Sequence, residues 1–403
     1  MFRKLFVPTL FGSLSICAVT AIDGIFVGQG TGSDGVAAVN IVVPLWMLFS
    51  GLELMVGSGC SVVAALHLSK GNEKAARLNV AQALLFTLAV TVVGCSLIML
   101  MPETVARMLG ASDSLIPQVL DYMLYITPCF LFQVWSTIGL FIIRLDGAPK
   151  VAMWCNVANA VTNAVLDWVF IFPLGMGIRG AAIATVLAQT LPLVYLFKIF
   201  TNKKELVHFD RKDFVFDIKI IKDILAIGLS PFLLNTALCV IIILINNGLK
   251  KFGGDLSVGA YGIVNRVTFF FTMIVMGITQ GMQPIVSYNY GARQFSRVTE
   301  ALKKAIVLAV ITLSIGCLIG ETIPRFICRF FTSDKELLDY SVDGMRIVMA
   351  TFPIIACPIV IGNFFQSIGK AKKSIVLSLS RQVLFLIPLL LILPNFLGIK
   401  GVC

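Results

Sequence analysis

Apolar segments long enough to cross a lipid bilayer recur along the whole chain. A transmembrane α-helix needs about 20 consecutive, mostly apolar residues, and eleven such segments are present. Roughly placed, they are residues 5–28, 36–66, 79–101, 118–143, 151–173, 180–200, 224–249, 257–289, 304–323, 340–366 and 374–394. A transmembrane barrel would instead show segments of about ten residues with alternating polarity. The pattern therefore predicts an all-α polytopic membrane protein.

The overall composition excludes a soluble domain. Hydrophobic residues make up 58% of the chain and charged residues 13%, whereas soluble domains carry about 25% charged residues. The first apolar segment is too long for the core of a signal peptide and contains Asp23, so we interpret it as a retained helix.

The basic residues predict an orientation in the membrane. A net charge of +11 would also suit nucleic acid, but Lys and Arg gather in alternate short loops, most densely between residues 198 and 222. Loops rich in Lys and Arg stay in the cytoplasm. We therefore expect a multi-pass protein of the bacterial inner membrane with a cytoplasmic N-terminus, and no nucleic-acid partner.

The cysteines and histidines do not indicate a metal site. None of the ten cysteines forms a C-x-x-C pair, and most lie inside apolar segments. Buried free thiols that pack as small hydrophobic groups are the favoured interpretation. The two histidines lie in or beside basic loops. We expect no resident metal and no cofactor.

The chain repeats itself at an offset of about 220 residues. Pro8 aligns with Pro231, Gly147 with Gly369, and residues 177–180 (GIRG) with residues 398–401 (GIKG). Nearly constant offsets over most of the length indicate an internal repeat. We expect two six-helix lobes, at residues 1–200 and 223–403, joined by a cytoplasmic linker at 201–222. The second lobe then has five helices, and its sixth helix is missing.

Two acidic residues lie inside the apolar segments of the first lobe. Charges within a membrane are costly and usually face a cavity, a partner or an ion path. Asp167 continues a line of Asn156, Asn159 and Asn163 at spacings of three or four residues, which places all four on one helical face. At 1.5 Å per residue, Asp23 and Asp167 fall at similar depth.

These positions predict a cation-coupling site. Asp23 and Asp167 would bind and release H⁺, with Na⁺ also possible at the same carboxylates, and Asn163 and Asn159 would support them. A structural alternative stays open, in which Asp167 joins helices through the Asn stripe and Asp23 satisfies the backbone of a bent helix. We favour the functional interpretation because intramembrane acids usually serve function.

A second set of residues is a candidate substrate surface. Glu53 and Arg266 are charged residues within apolar segments, and Arg266 or Arg381 could either pair with Glu53 or line a passage for an acidic or zwitterionic solute. Aromatic side chains attract organic cations through their π faces, although many such residues contact lipid or pack helices. The further candidates are Trp46, Gln133, Trp135, Trp154 and Asn156.

Three motifs resemble the multidrug and toxic compound extrusion (MATE) family. They are residues 21–28 (AIDGIFVG) followed by 35–39 (GVAAV), residues 159–172 with Asn159 and Asp167, and residues 260–266 (AYGIVNR). The resemblance implies a twelve-helix fold that exports organic cations or drugs in exchange for H⁺ or Na⁺ by alternating access. It also implies that Asp23, Asn163 and Asp167 carry the coupling cation.

The chain departs from a branch of that family whose acids lie on helices seven and ten. Helix seven has Asn246 and Asn247 but no acid, and helix ten has Asp343 near its mouth only. Coupling through the second lobe is therefore not expected.

Signatures of enzymes are missing from the sequence, including a phosphate-binding G-x-x-x-x-G-K-[ST] loop and the H-E-x-x-H motif. We therefore expect a cation-coupled drug antiporter rather than an enzyme. Two alternatives stay open: a flippase for a lipid-linked or polar cell-envelope precursor, and a non-transporting membrane scaffold or channel.

Overall fold

A computed structural model describes residues 2–111, 113–201, 217–331 and 335–398. Almost all of them are helical. In chain order the helices are α1 (Phe2–Leu68), α2 (Glu73–Leu100), α3 (Pro102–Met108), α4 (Ile116–Leu145), α5 (Pro149–Ile171), α6 (Gly177–Phe200), α7 (Ile218–Gly291), α8 (Phe295–Thr322), α9 (Pro324–Arg329), α10 (Lys335–Ala350), α11 (Phe352–Ser367), α12 (Ala371–Leu379), a π-helical segment (Ser380–Leu386), α13 (Ile387–Ile392) and α14 (Pro394–Leu397).

The described residues contain nine helical segments that are long and apolar enough to cross a membrane. A tenth is formed if α10 and α11, which meet at a 50° bend, count as one span. Helix α5 has 23 residues but is not among these spans, since its Asn and Asp residues lower its apolar character. The all-α polytopic class is thereby confirmed.

Helix α1 contains two spans, Leu5–Thr31 and Ala37–Leu68, which we call span 1 and span 2. Val27 and Val39 pack in the same small apolar cluster with Ile171 and Ala181. Both spans therefore contribute to a cluster that lies against Ile171 of α5 and Ala181 of α6.

The chain divides into two compact units, Met1–Phe232 and Leu233–Cys403, called unit 1 and unit 2. Most of the predicted linker, residues 202–216, lies outside the described residues, as do residues 399–403 and the side chains of Asn246 and Asn247. The lobe boundaries at 200 and 223 stay a prediction. The repeat-related Gly147 and Gly369 both have a positive φ, of 86° and 74°, each just after a helix ends.

Unit 1 has a continuous apolar core built from span 2, α2, α4, α5 and α6, together with Ile224 at the start of α7. Helices approach most closely where span 2 meets the start of α7. A Cβ atom on Gly228 would overlap the carbonyl oxygen of Met55, and one on Gly59 would overlap the carbonyl oxygen of Ile224. Small residues at such crossings let helix backbones approach in a membrane, where packing drives association.

Unit 2 is built around α8 and α11, with α10 packed on α8 and α12 on α11. Ser374 of α12 donates a hydrogen bond to the carbonyl oxygen of Gly362 on α11 at 2.8 Å. The π-helical segment Ser380–Leu386 then interrupts the last span, and it contains the half-buried Arg381. Segments of π-helix are rare and often occur at functional sites.

Candidate functional site

The structure brings the two predicted coupling acids together. Asp23 extends from span 1 and Asp167 from α5, and their carboxyl groups lie within hydrogen-bonding reach of each other. Asp167 is 0% exposed, and Asp23 is half-buried. Two acids that are far apart in the sequence thus form one buried pair.

Close packing of span 1 on α5 explains why the acids meet. A Cβ atom on Gly12 would lie 2.9 Å from the amide nitrogen of Asn156, and one on Gly30 would overlap the side chain of Ile171. These two glycines lie on either side of Asp23 in span 1. Because the helices are in close contact at both places, the polar face of α5 is held against span 1 along the length between them.

A hydrogen bond within the pair has a chemical requirement. An ionised carboxylate only accepts hydrogen bonds, so a bond between Asp23 and Asp167 would need a proton on one of them. Among the described residues, no hydroxyl, amide or cationic side chain donates a hydrogen bond to either oxygen of Asp167. Two unprotonated carboxylates in this place would carry two uncompensated charges, which is costly away from water. The geometry therefore favours a pair that holds a proton or another cation.

Asn163 lies one helical turn before Asp167 and is also buried. Its side-chain nitrogen donates a hydrogen bond to the hydroxyl of Thr185 on α6 at 3.3 Å. That hydroxyl in turn donates to the carbonyl oxygen of Ala181 at 2.9 Å. Asn163 thereby joins α5 to α6 and fixes the helix that carries Asp167. The sequence reasoning missed Thr185, since a lone Thr in an apolar helix has no distinctive spacing.

The other two Asn residues of the stripe line the same face of α5. Asn156 is buried and Asn159 is half-buried. The amide nitrogen of Asn156 and the amide oxygen of Asn159 have no hydrogen-bond partner among the described residues. Buried polar atoms normally find partners, so the stripe offers both a donor and an acceptor along the approach to Asp167.

Tyr122 of α4 is a further polar group beside the acid pair. It is 5% exposed, and its hydroxyl oxygen accepts a hydrogen bond from the indole of Trp46 in span 2. The phenol lies close enough to interact electrostatically with both Asp23 and Asp167. Trp46 also packs edge to face on Phe130, with ring centroids 5.2 Å apart. No pattern in the sequence indicated a role for Tyr122.

Glu53 forms a separate polar cluster between span 2 and α4. Its carboxylate oxygens accept hydrogen bonds from the hydroxyls of Ser50, at 3.2 Å, and Thr137, at 3.1 Å. The side chain of Gln133 also bonds to it. All three partners are neutral and belong to unit 1. Glu53 and Gln133, two predicted substrate contacts, therefore lie together.

The remaining predicted substrate contacts are spread over the molecule. Trp135 is half-buried and packs on Phe197, with ring centroids 5.6 Å apart. Trp154 is 64% exposed, and Arg266, which belongs to unit 2, is exposed as well. Trp135 and Trp154 do not join the clusters around Asp167 or Glu53. Their roles and that of Arg266 stay predictions.

A cavity of about 470 Å³ opens at the end of unit 1 where span 1 ends and α4 and α6 begin. Its wall includes Thr31, Gln118 and the turn between α5 and α6. Arg179 and Asp121, on opposite helices, form a bidentate ion pair at its edge, with N···O distances of 2.9 and 2.8 Å. Thr31 lies two helical turns beyond Asp23 along span 1, about 12 Å at 1.5 Å per residue.

Comparison with known proteins agrees with this architecture. The MatE family model matches residues 8–169 and 227–392. The multidrug export protein MepA of Staphylococcus aureus (strain MSSA476) is 20% identical over 396 residues, covering 98% of this chain and 87% of MepA. The MepA of Staphylococcus saprophyticus is likewise 20% identical over 396 residues.

Solved structures show the same fold. The MATE multidrug transporter DinF-BH, solved as a complex, is 33% identical, with a TM-score of 0.91 over 100% of this chain and 90% of that chain. An outward-facing MATE family transporter of the MOP superfamily superposes with a TM-score of 0.93 at 23% identity, over 100% of this chain and 90% of that chain. The family model and the 33% identical structure together establish that this chain belongs to the MatE family of multidrug efflux transporters.

Proposed function

We propose that this protein exports organic cations or drugs across the bacterial inner membrane in exchange for an inward-moving cation. H⁺ is the preferred coupling ion, and Na⁺ is the alternative at the same carboxylates. The observation that carries the proposal is the close approach of the carboxyl groups of Asp23 and Asp167 in a buried place that supplies no balancing cation among the described residues. A pair that needs a proton or cation to be stable can bind that ion from one side and release it to the other.

The proposed cycle follows from the charge of the pair. With an ion bound, the pair carries less negative charge and can remain buried between span 1 and α5. After release, the two carboxylates repel each other and favour an arrangement in which water or a cationic substrate reaches them. A ligand shifts a conformational equilibrium only by its difference in affinity between the two conformations. Because binding of the ion changes the charge of a site away from water, its affinity would differ strongly between a conformation that buries the pair and one that exposes it.

Neighbouring groups would set the geometry of the coupling site. Asn163 is held by Thr185, so α5 and α6 would move as one body when Asp167 changes charge. Asn159 presents an amide oxygen without a described partner, which suits a hydrated cation on its way to the acids. Protons are preferred to Na⁺ because the two carboxyl groups lie so close that a single proton can form a hydrogen bond between them.

The relatives support the direction and class of transport. The MepA proteins are described as multidrug export proteins, and the 33% identical structure is that of a MATE multidrug transporter. In this chain Trp46, Phe49 and Phe130 form an aromatic group on span 2 and α4, the two elements that also carry Glu53 and Gln133. Aromatic faces and a carboxylate would both attract an organic cation. The basic loops support a cytoplasmic N-terminus.

Purified protein in liposomes tests the proposal. We expect ethidium efflux to accelerate when an inward H⁺ gradient is imposed, and to respond less to an equal Na⁺ gradient. Acceleration by Na⁺ alone would change the ion but keep the antiport. Failure of either gradient to move ethidium or a fluoroquinolone would contradict drug antiport and favour a precursor flippase, whereas dye movement independent of both gradients would favour a channel.

A further inference from the structure

Glu53, the acid of the polar cluster between span 2 and α4, has an unusual charge balance. Glu53 is 8% exposed, and the structure gives its carboxylate three neutral hydrogen-bond donors. Among the described residues it has no ion pair with Lys, Arg or His. The titratable group that faces it is the thiol of Cys129 on α4, which itself faces Cys95 of α2. The cluster therefore contains no cation to balance an ionised Glu53.

The hydrogen-bond partners can serve both protonation states. Hydroxyl groups donate or accept by rotating their hydrogen. When Glu53 is ionised, Ser50, Thr137 and Gln133 can all donate to it. When Glu53 is protonated, its own O–H can donate to one of the two hydroxyls. No side chain has to leave its place for the proton to come or go.

The hydrogen-bond partners of Glu53 are less buried than Glu53 itself. Ser50, Gln133 and Thr137 are all half-buried, whereas Glu53 is buried. A proton would reach the carboxylate along the hydroxyl group of Ser50 or Thr137. The side-chain oxygen of Gln133 has no partner among the described residues, so it can accept a hydrogen bond from an entering water molecule.

Phe49 lies between Trp46 and Glu53 along span 2. Phe49 and Phe130 stack with ring centroids 4.4 Å apart, and both are at most 4% exposed. Trp46, which bonds to Tyr122 beside the acid pair, lies two helical turns before Glu53, about 10 Å along span 2. We propose that Glu53, with Ser50, Gln133 and Thr137, forms a second proton-binding site of unit 1 that loads independently of Asp23 and Asp167.

Infrared spectroscopy of the full-length purified protein tests the site directly. A protonated buried carboxyl group gives a carbonyl absorption that disappears on ionisation. We expect a band that titrates with pH, that is lost in Glu53→Gln and that persists in the double variant Asp23→Asn with Asp167→Asn. A Glu53→Gln spectrum identical to that of the wild type at every pH would overturn the proposal. So would a band that Glu53→Gln removes but that never titrates, since the acid would then be permanently neutral.

Variants of the hydrogen-bond partners of Glu53 test the site even if the Glu53→Gln protein does not fold. Ser50→Ala and Thr137→Val each remove one hydroxyl, and we expect the Glu53 band to shift in frequency while remaining present. A band unaffected by both changes would contradict the cluster. Ser15→Ala is the matched control, because the Ser15 hydroxyl bonds only within its own helix, to Phe11 at 2.9 Å, and should leave the band unchanged.

The consequence for transport rests on the proposed function. If H⁺ drives export, Glu53→Gln should lower the number of protons moved per ethidium exported. An unchanged proton count would show that Glu53 does not take part in transport. A wild-type protein without gradient-driven export would refute the proposed function, yet the infrared result would still decide whether Glu53 binds a proton.

Discussion

The carboxyl group of Asp23 lies within hydrogen-bonding reach of Asp167, and Asp167 is fully buried. The contact joins span 1 to α5, and a hydrogen bond between the two groups requires a proton on one of them. A structural role alone would be served better by an amide, which donates as well as accepts.

The helix crossing at Gly228 is expected to tolerate no larger side chain. A Cβ atom there would overlap the carbonyl oxygen of Met55, and backbone atoms cannot rotate away as a side chain can. Overpacking typically costs about 1–3 kcal/mol. We therefore expect Gly228→Ala to lower the thermal unfolding midpoint in detergent. In the same helix, Gly262 has open space around it, so Gly262→Ala should be neutral or slightly stabilising. Equal midpoints for the two variants would show that the crossing is looser than described.

The hydrogen bond from Asn163 to Thr185 should contribute modestly to stability. Interhelical hydrogen bonds in membrane proteins average about 0.6 kcal/mol and reach about 1.7 kcal/mol. Thr185→Val keeps the shape but removes the acceptor, so we expect a smaller loss of stability than for Gly228→Ala. Thr185→Ser should restore stability to near the wild-type value. A Ser variant as unstable as the Val variant would assign the effect to the lost methyl group instead.

Trp46 and Tyr122 should be energetically coupled. The indole donates to the phenol across span 2 and α4, and residues that share a hydrogen bond show interaction energies of about 0.5–3 kcal/mol. Unfolding of Trp46→Phe, Tyr122→Phe and the double variant forms a cycle that measures this energy. Strictly additive losses would mean that the hydrogen bond contributes nothing in the membrane protein.

The orientation can be tested with cysteine labelling. Lys74 is exposed at the start of α2, on the side proposed to be cytoplasmic, and the Asp113 side chain is 87% exposed on the opposite side. In intact cells, we expect a membrane-impermeant maleimide to label Asp113→Cys but not Lys74→Cys. The parent protein, with its own cysteines, supplies the background. The reverse pattern would place the N-terminus outside.

The sequence alone was sufficient to predict the membrane class and to single out Asp23 and Asp167. Apolar segments of spanning length are a strong signal because the bilayer has a fixed thickness. The spacing of Asn156, Asn159, Asn163 and Asp167 indicated a common helical face, and the cost of a charge in a membrane singled out Asp23. These local rules do not depend on how helices pack.

The partners of the acids could not be predicted from the sequence. Thr185, Tyr122 and Thr137 are ordinary residues in apolar helices, and they matter only because packing of α4 and α6 brings them to Asn163, the acid pair and Glu53. The sequence suggested an arginine as a possible partner for Glu53, whereas its described partners in unit 1 are neutral. Such pairings depend on helix rotation and register, which a single sequence does not specify.

Gradient-driven export by Asp167→Asn protein tests the central claim most directly. Ethidium flux in proteoliposomes would be measured with and without an inward H⁺ gradient for the wild type, Asp23→Asn and Asp167→Asn. Asp113→Asn, a change at an exposed acid, is the matched control. We expect the gradient-driven rate to fall at least roughly tenfold in both variants of the pair, which corresponds to about 1.4 kcal/mol in activation free energy. Asp113→Asn should retain the wild-type rate. Full gradient-driven export by Asp167→Asn would contradict the assignment of the Asp23–Asp167 pair as the coupling site.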